Sequence, residues 1–314
     1  MRVSKGQLLY ALSFGALLPA CSNEPEPPPP PSAVLEEGEL APLASVHALF
    51  IGHSLINFEM PRNLESIARS LDVEFEYEAQ IIDGAPLEEQ WNEDHRSLGV
   101  RARERLRERR FDAVVLAEAV PILDMIRYRN SVEYVARFGS LTAVEQPHAR
   151  IFLDESWVHR DRQRGLIFRS TNYRRFIDDD LPKWEKVARE ATKRSGASIR
   201  ILPAGRGLGM LIDAIRAGEV PGIVDEDELF VDSIHLSPLG NHFIAANFFA
   251  ALFRRTPEGA SGEIIDLENE RTIPLEEGTR EALYRIAWDN FLSYPRAIAR
   301  EDRLGEAIHA ESRP

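Results

Sequence analysis

With 314 residues, 44% of them hydrophobic, the chain is long enough for one large α/β domain or two small ones, and it can bury a core without disulfide staples. Its formal charge of −13 sets aside nucleic acid as the main partner, because phosphate binding needs a surplus of Lys and Arg on one face. The arginine run 101–110 does not alter this: Glu104 and Glu108 interleave it, and Leu98, Ala102 and Leu106 supply a core-facing stripe.

The chain opens with Arg2 and Lys5 ahead of the apolar run LLYALSFGALLPA. That run is too short to span a bilayer, and its charged start, apolar middle and small-residue end mark residues 1–20 as a secretory signal. It ends in LPAC, which resembles the lipobox of bacterial lipoproteins, with Cys21 as the residue to be lipidated. Cys21 is the only cysteine, so acylation would leave the mature domain free of thiols. Ser22, rather than Asp, after the cysteine resembles an outer-membrane address. The expectation is an exported protein anchored to the membrane through Cys21 and facing the periplasm. Residues 21–45, rich in Pro and Glu, read as an extended tether.

Residues 46–296 alternate between two periods. VHALFIG is a buried strand, PRNLESIARSL a helix, VEFEYEAQII a strand, LGVRARERLRERR a helix and FDAVVLA a buried strand. RIFLDE and SIRILPA are further strands, separated by a helix over 173–194, and GRGLGMLIDAIRAG is a short helix. After the loop 219–237, Ser237 and Pro238 supply an N-cap and a first helical position for a helix carrying Leu239, Phe243, Ala246, Ala250 and Phe253. Residues 256–278 read as a surface excursion, 280–294 as a last helix burying Leu283, Ile286, Ala287 and Phe291, and 297–314 as a polar tail. Alternating β and α predicts an α/β fold in three layers, with a mostly parallel sheet between helices.

Ligands of such sheets sit at the carboxyl ends of the strands. Ser54 follows the first strand in IGHSL, on a tight turn that would expose its hydroxyl. A serine attacks only when a base takes its proton, and that base needs a third group to fix its tautomer. Of the eight histidines, only His235 has an Asp three residues before it, Asp232. His148 and His309 have Glu at that offset, but one precedes a strand and the other lies in the tail.

Together IGHSL and DSIHLSPLGN resemble the first and last blocks of the SGNH, or GDSL, hydrolase family, over about residues 46–255. The resemblance implies a flavodoxin-like fold and acyl-enzyme chemistry, with Ser54 as nucleophile, His235 as base and Asp232 as its orienter. It also implies an oxyanion hole from the Ser54 N–H and the N–H of Gly84, in IIDGAP after the second strand. Two positions depart from the family spelling. His53 replaces its Asp, and Glu118, in VVLAEAVP, stands where an asparagine donor is usual. An ionised Glu118 would repel an oxyanion, so another donor substitutes, or Glu118 is protonated or has a different task, such as holding a substrate hydroxyl. ESWVHRD, after a strand, offers Trp157 or His159 for the cleft rim, with Trp157 the candidate to contact substrate.

No His-Glu-x-x-His, P-loop or dinucleotide glycine pattern is present, so neither metal nor cofactor is expected. The expected substrate is a short acyl ester, acetyl foremost, on carbohydrate or cell-envelope material. An acyltransferase using a polysaccharide hydroxyl and a non-catalytic envelope-binding protein remain as rivals. Specificity would lie in the loops 119–131, 155–172 and 218–231.

Overall fold

A computed structural model describes residues 41–160 and 173–294 of the chain. The signal sequence, Cys21, nearly all of the tether, part of the loop 155–172 and the polar tail lie outside these residues. The described residues fall in one compact unit.

The strand β1 (Ser45–Gly52) carries Leu49, Phe50 and Ile51 with no exposure on either face, as a parallel strand covered on both sides requires. Beside it run β2 (Glu74–Ile81), β3 (Ala113–Ala117), β4 (Arg150–Asp154) and β5 (Ile199–Leu202), all parallel, in the order β2-β1-β3-β4-β5. The alternating pattern predicts a parallel sheet, and this order is the flavodoxin-like one that the family resemblance implies. The path steps outward from β1 to β2, then crosses back to β3, β4 and β5, so right-handed crossovers place helices on both faces.

The helices are α1 (Glu59–Ser70), α2 (Leu87–Asn92), α3 (Ala102–Glu108), α4 (Ile122–Tyr128), α5 (Ser131–Glu145), α6 (Tyr173–Ser195), α7 (Ala204–Arg216), α8 (Pro238–Phe253) and α9 (Glu277–Ser293). One layer packs α1 against α8 and α8 against α9; the other packs α3 and α6 against α5. Helix α1 starts where Asn57, at φ 40°, turns its Oδ1 to accept from the amides of Glu59 and Met60 at 2.7 and 3.0 Å. Met60, Leu64, Ile67 and Ala68 then form its buried stripe. Helix α8 is buried almost all round and starts at the expected Ser237 cap, whose Oγ accepts from Gly240 N.

The structure corrects several readings. The excursion 256–278 contains an antiparallel hairpin, β6 (Glu263–Asp266) with β7 (Arg271–Pro274). Asn63 of α1 docks this hairpin by giving its side-chain amide to Ile265 O and receiving Ile265 N–H. Leu98 is not part of the α3 stripe but 67% exposed. The free edge of β2 captures its segment instead, with the amides of Leu98 and Val100 donating to the carbonyls of Ile81 and Ala79. The loop 119–131 includes α4, and α5 follows it as the crossover a parallel β3-β4 pair demands. Packing begins before residue 46, since Leu43 N donates to Phe253 O.

Candidate active site

The carboxyl ends of β1, β2 and β3 lie side by side: Gly52 is in register with Ile81, and Ile51 with Leu116. Gly52 has to be small, because a Cβ there would sit 2.9 Å from Ala117 Cβ. The chain then turns through His53, whose carbonyl accepts from the amides of Ile56 and Asn57. Ser54 stands half-buried on this turn.

Its hydroxyl lies 2.9 Å from Nε2 of His235, 181 residues further along. Nδ1 of His235 lies 2.7 Å from Oδ2 of Asp232. Oδ1 of the same carboxylate accepts from the amides of Ile234 and His235 at 2.8 and 2.7 Å. Asp232 therefore folds its own loop and fixes the imidazole at once. Some burial opposes its ionisation, but the bonds from the His235 ring and from the two amides outweigh it and hold the carboxyl at about 2. A carboxylate accepts only, so Nδ1 carries the proton and Nε2 is left to accept from Ser54. The three residues chosen from the sequence are thus joined in one hydrogen-bonded chain.

The loop holding Asp232 and His235 is closed by Val231 N donating to His235 O and by a bridge between Phe230 and Leu236. It is then clamped by the segment after β4. Trp157 is 1% exposed, and its indole N–H donates to Ile234 O at 2.7 Å. Trp157 is consequently a support beneath the loop and not a residue of the cleft rim. Next to it, the His159 ring lies 3.1 Å from Ser233 Oγ, Arg160 N donates to Ser233 O, and the Arg160 guanidinium pairs with Asp227.

Gly84 leaves β2 on an exposed turn at φ 66°, a left-handed conformation that glycine adopts without strain. Among the described residues, neither the Gly84 nor the Ser54 amide donates a hydrogen bond to the protein. Both turns leave adjacent strands at the same level, two residues beyond Gly52 and three beyond Ile81.

Glu118 does not offer itself to a substrate. It is wholly buried, and its Oε1 accepts from the amides of Leu87 and Ala119, each at 2.9 Å. Oε2 is enclosed without a hydrogen bond of acceptable geometry, although the Ser131 hydroxyl is near enough to favour the carboxylate. Burial dominates and raises the carboxyl to about 7. His53, the other departure from the GDSL spelling, is buried against it: Leu55 N lies 3.4 Å from His53 Nδ1, and His53 Nε2 lies 3.2 Å from the Glu118 carbonyl. Burial also lowers the His53 pKa and keeps the ring neutral, with its proton on Nε2.

A further residue of this region escaped the sequence reading. Gln90, on α2, donates its side-chain amide to the carbonyls of Gly52 and Ile82, and Gln80 donates to Gln90 in turn. Nothing local to Gln90 signals this, since its partners lie on two strands. Among the described residues, no group of three or more His, Cys, Asp or Glu side chains is arranged to hold a metal ion.

No protein-family model and no curated protein matches the chain. Solved structures do. A DUF4886 family protein from Bacteroides uniformis superposes with a TM-score of 0.57 at 16% identity, over 82% of this chain and 99% of its own. A "putative SGNH hydrolase" from Slackia heliotrinireducens gives 0.44 at 20% identity, over 67% of this chain and 100% of its own. A "putative GDSL-like lipase" from Parabacteroides merdae gives 0.44 at 14% identity, over 66% and 95%. At these identities the likeness is one of fold, and it is carried by the first of the three.

Proposed function

We propose that the protein is a serine hydrolase that cleaves carboxylic esters through an acyl-enzyme on Ser54. One observation carries this reading: the unbroken chain from Ser54 Oγ through His235 to Asp232, at 2.9 and 2.7 Å, at the carboxyl end of the sheet. His235 takes the Ser54 proton as the oxygen attacks the ester carbonyl, and Asp232 stabilises the resulting imidazolium. The amides of Ser54 and Gly84 hold the oxyanion. His235 then returns the proton to the leaving alcohol, and water, activated by the same ring, releases the acid.

The substrate we propose is a short acyl ester, acetyl foremost, on carbohydrate or cell-envelope material. The lipobox-like LPAC supports an enzyme lipid-anchored at Cys21 in the outer membrane and facing the periplasm. Transfer of the acyl group to a polysaccharide hydroxyl uses the same acyl-enzyme and differs only in the acceptor. p-Nitrophenyl acetate turnover by the wild-type protein and Ser54→Ala tests the reading. The variant should lose at least about 1,000-fold in kcat, and equal rates would sink it.

A further inference from the structure

We propose that Glu118 is a positioning residue that ties the turn carrying Gly84 to the turn carrying Ser54, and so fixes the spacing of the two oxyanion donors; this rests on the ester-hydrolase reading above.

Three observations carry it. The Glu118 carboxylate reaches across from β3 to the Leu87 amide, three residues beyond Gly84 and at the first position of α2. The same oxygen accepts from Ala119 N, so the carboxylate is held in place from its own strand end. On the other side, the Glu118 carbonyl receives the His53 ring, and His53 immediately precedes Ser54. One residue thus has a grip on both turns, through its side chain on the first and through its backbone on the second.

Gln90 braces the same junction from α2, donating to Gly52 O before one turn and to Ile82 O before the other. Oxyanion stabilisation depends on donors that are already in place when charge develops, and misplacing a group by a fraction of a bond length is costly. Glu118 occupies the position where a third donor side chain is usual in the GDSL spelling. Its buried oxygens make it a strut for the two remaining donors instead.

The test compares Glu118→Gln, Glu118→Asp and Glu118→Leu with wild type. Gln keeps both the length and the accepting oxygen; Asp keeps the charge but is too short to reach Leu87 N; Leu keeps only the bulk. On p-nitrophenyl acetate, the Leu and Asp variants should lose about 10- to 100-fold in kcat with KM within about 3-fold of wild type, and Gln should restore kcat to within about 3-fold. Ser54 labelling by a fluorophosphonate probe should slow in parallel.

A Gln variant as impaired as Leu would overturn the proposal, because charge or a proton would then be what matters. Wild-type kcat in both Leu and Asp would overturn it as well. If the Leu variant lacks a native circular dichroism spectrum, the Asp and Gln pair decides. Amide hydrogen exchange over residues 84–90 reads the strut without any turnover. It should quicken at least about 10-fold in Asp and stay slow in Gln, and equal exchange in both refutes the strut. A wild-type protein that turns over no ester and is not labelled at Ser54 would instead refute the hydrolase reading, with the exchange result standing separately.

Discussion

Asp232 does two jobs with one carboxylate, and the two can be separated by substitution. In Asp232→Asn the side-chain oxygen can still accept from the amides of Ile234 and His235, so the loop keeps its shape. The side-chain nitrogen cannot accept from His235 Nδ1, so the ring loses the tautomer that leaves Nε2 free for Ser54. We expect kcat to fall about 100- to 10,000-fold while the melting temperature stays within a few degrees of wild type. A variant with unimpaired ester turnover would show that Asp232 serves only the loop. Gly52 illustrates the opposite dependence at the same scale: it has no chemistry, yet only its missing Cβ lets β1 approach Ala117 closely enough to bring the Ser54 turn beside Glu118.

At the scale of elements, the site is an assembly of strand ends and one clamped loop. The loop 230–236 has little secondary structure of its own and is held by the segment after β4, chiefly through the Trp157 indole on Ile234 O. Trp157→Phe keeps most of the buried ring and deletes this bond, leaving a carbonyl unpaired at a cost of about 1–3 kcal/mol. The loop should loosen, with kcat reduced about 3- to 30-fold and KM little changed. Unaltered kcat in a destabilised variant would confine Trp157 to the core. The same elements show which parts of the chain were readable beforehand. Strands such as VHALFIG and FDAVVLA, and helix α8, announce themselves because the strands are short contiguous apolar runs and α8 is an apolar run opened by the Ser237-Pro238 cap. Helix α5 and the hairpin of β6 and β7 do not: α5 mixes polar and small residues and has no capping side chain at its start, and the hairpin strands are four residues each and dock on Asn63. Leu98 likewise takes its position from a distant partner, the carbonyl of Ile81 at the edge of β2.

For the whole molecule, buried titratable groups couple stability to pH. Burial raises Asp154, at the end of β4, to about 7, well above the value of about 3.9 for an exposed aspartate. The folded protein therefore holds that proton more tightly than the unfolded chain, and the stabilisation it brings is lost as pH rises from about 4 through about 7. Asn at this position mimics the protonated form at every pH. The stability of Asp154→Asn relative to wild type should accordingly grow between pH 5 and pH 8, by on the order of 2–4 kcal/mol, in paired thermal or urea unfolding. Parallel curves would show that Asp154 is not the group responsible. His242 acts in the other direction: burial lowers it to about 4, between Asn63 and Tyr284, so its contribution is present above about 6.5 and lost as pH falls toward 4. It cancels in the paired comparison.

By itself the amino-acid sequence determined the class of fold and singled out Ser54, Asp232 and His235, which the structure brings within hydrogen-bond reach of one another. Strand ends, and an Asp three residues before a His, are local patterns, and local patterns are written directly in residue order. Only the tertiary structure decided what Glu118, His53, Gln90 and Trp157 touch. Each meets a partner in another element, 65 residues away for His53 and 77 for Trp157; the register of β1, β2 and β3 sets the partners of Glu118, His53 and Gln90, and the packing of the segment after β4 on the loop 230–236 sets that of Trp157.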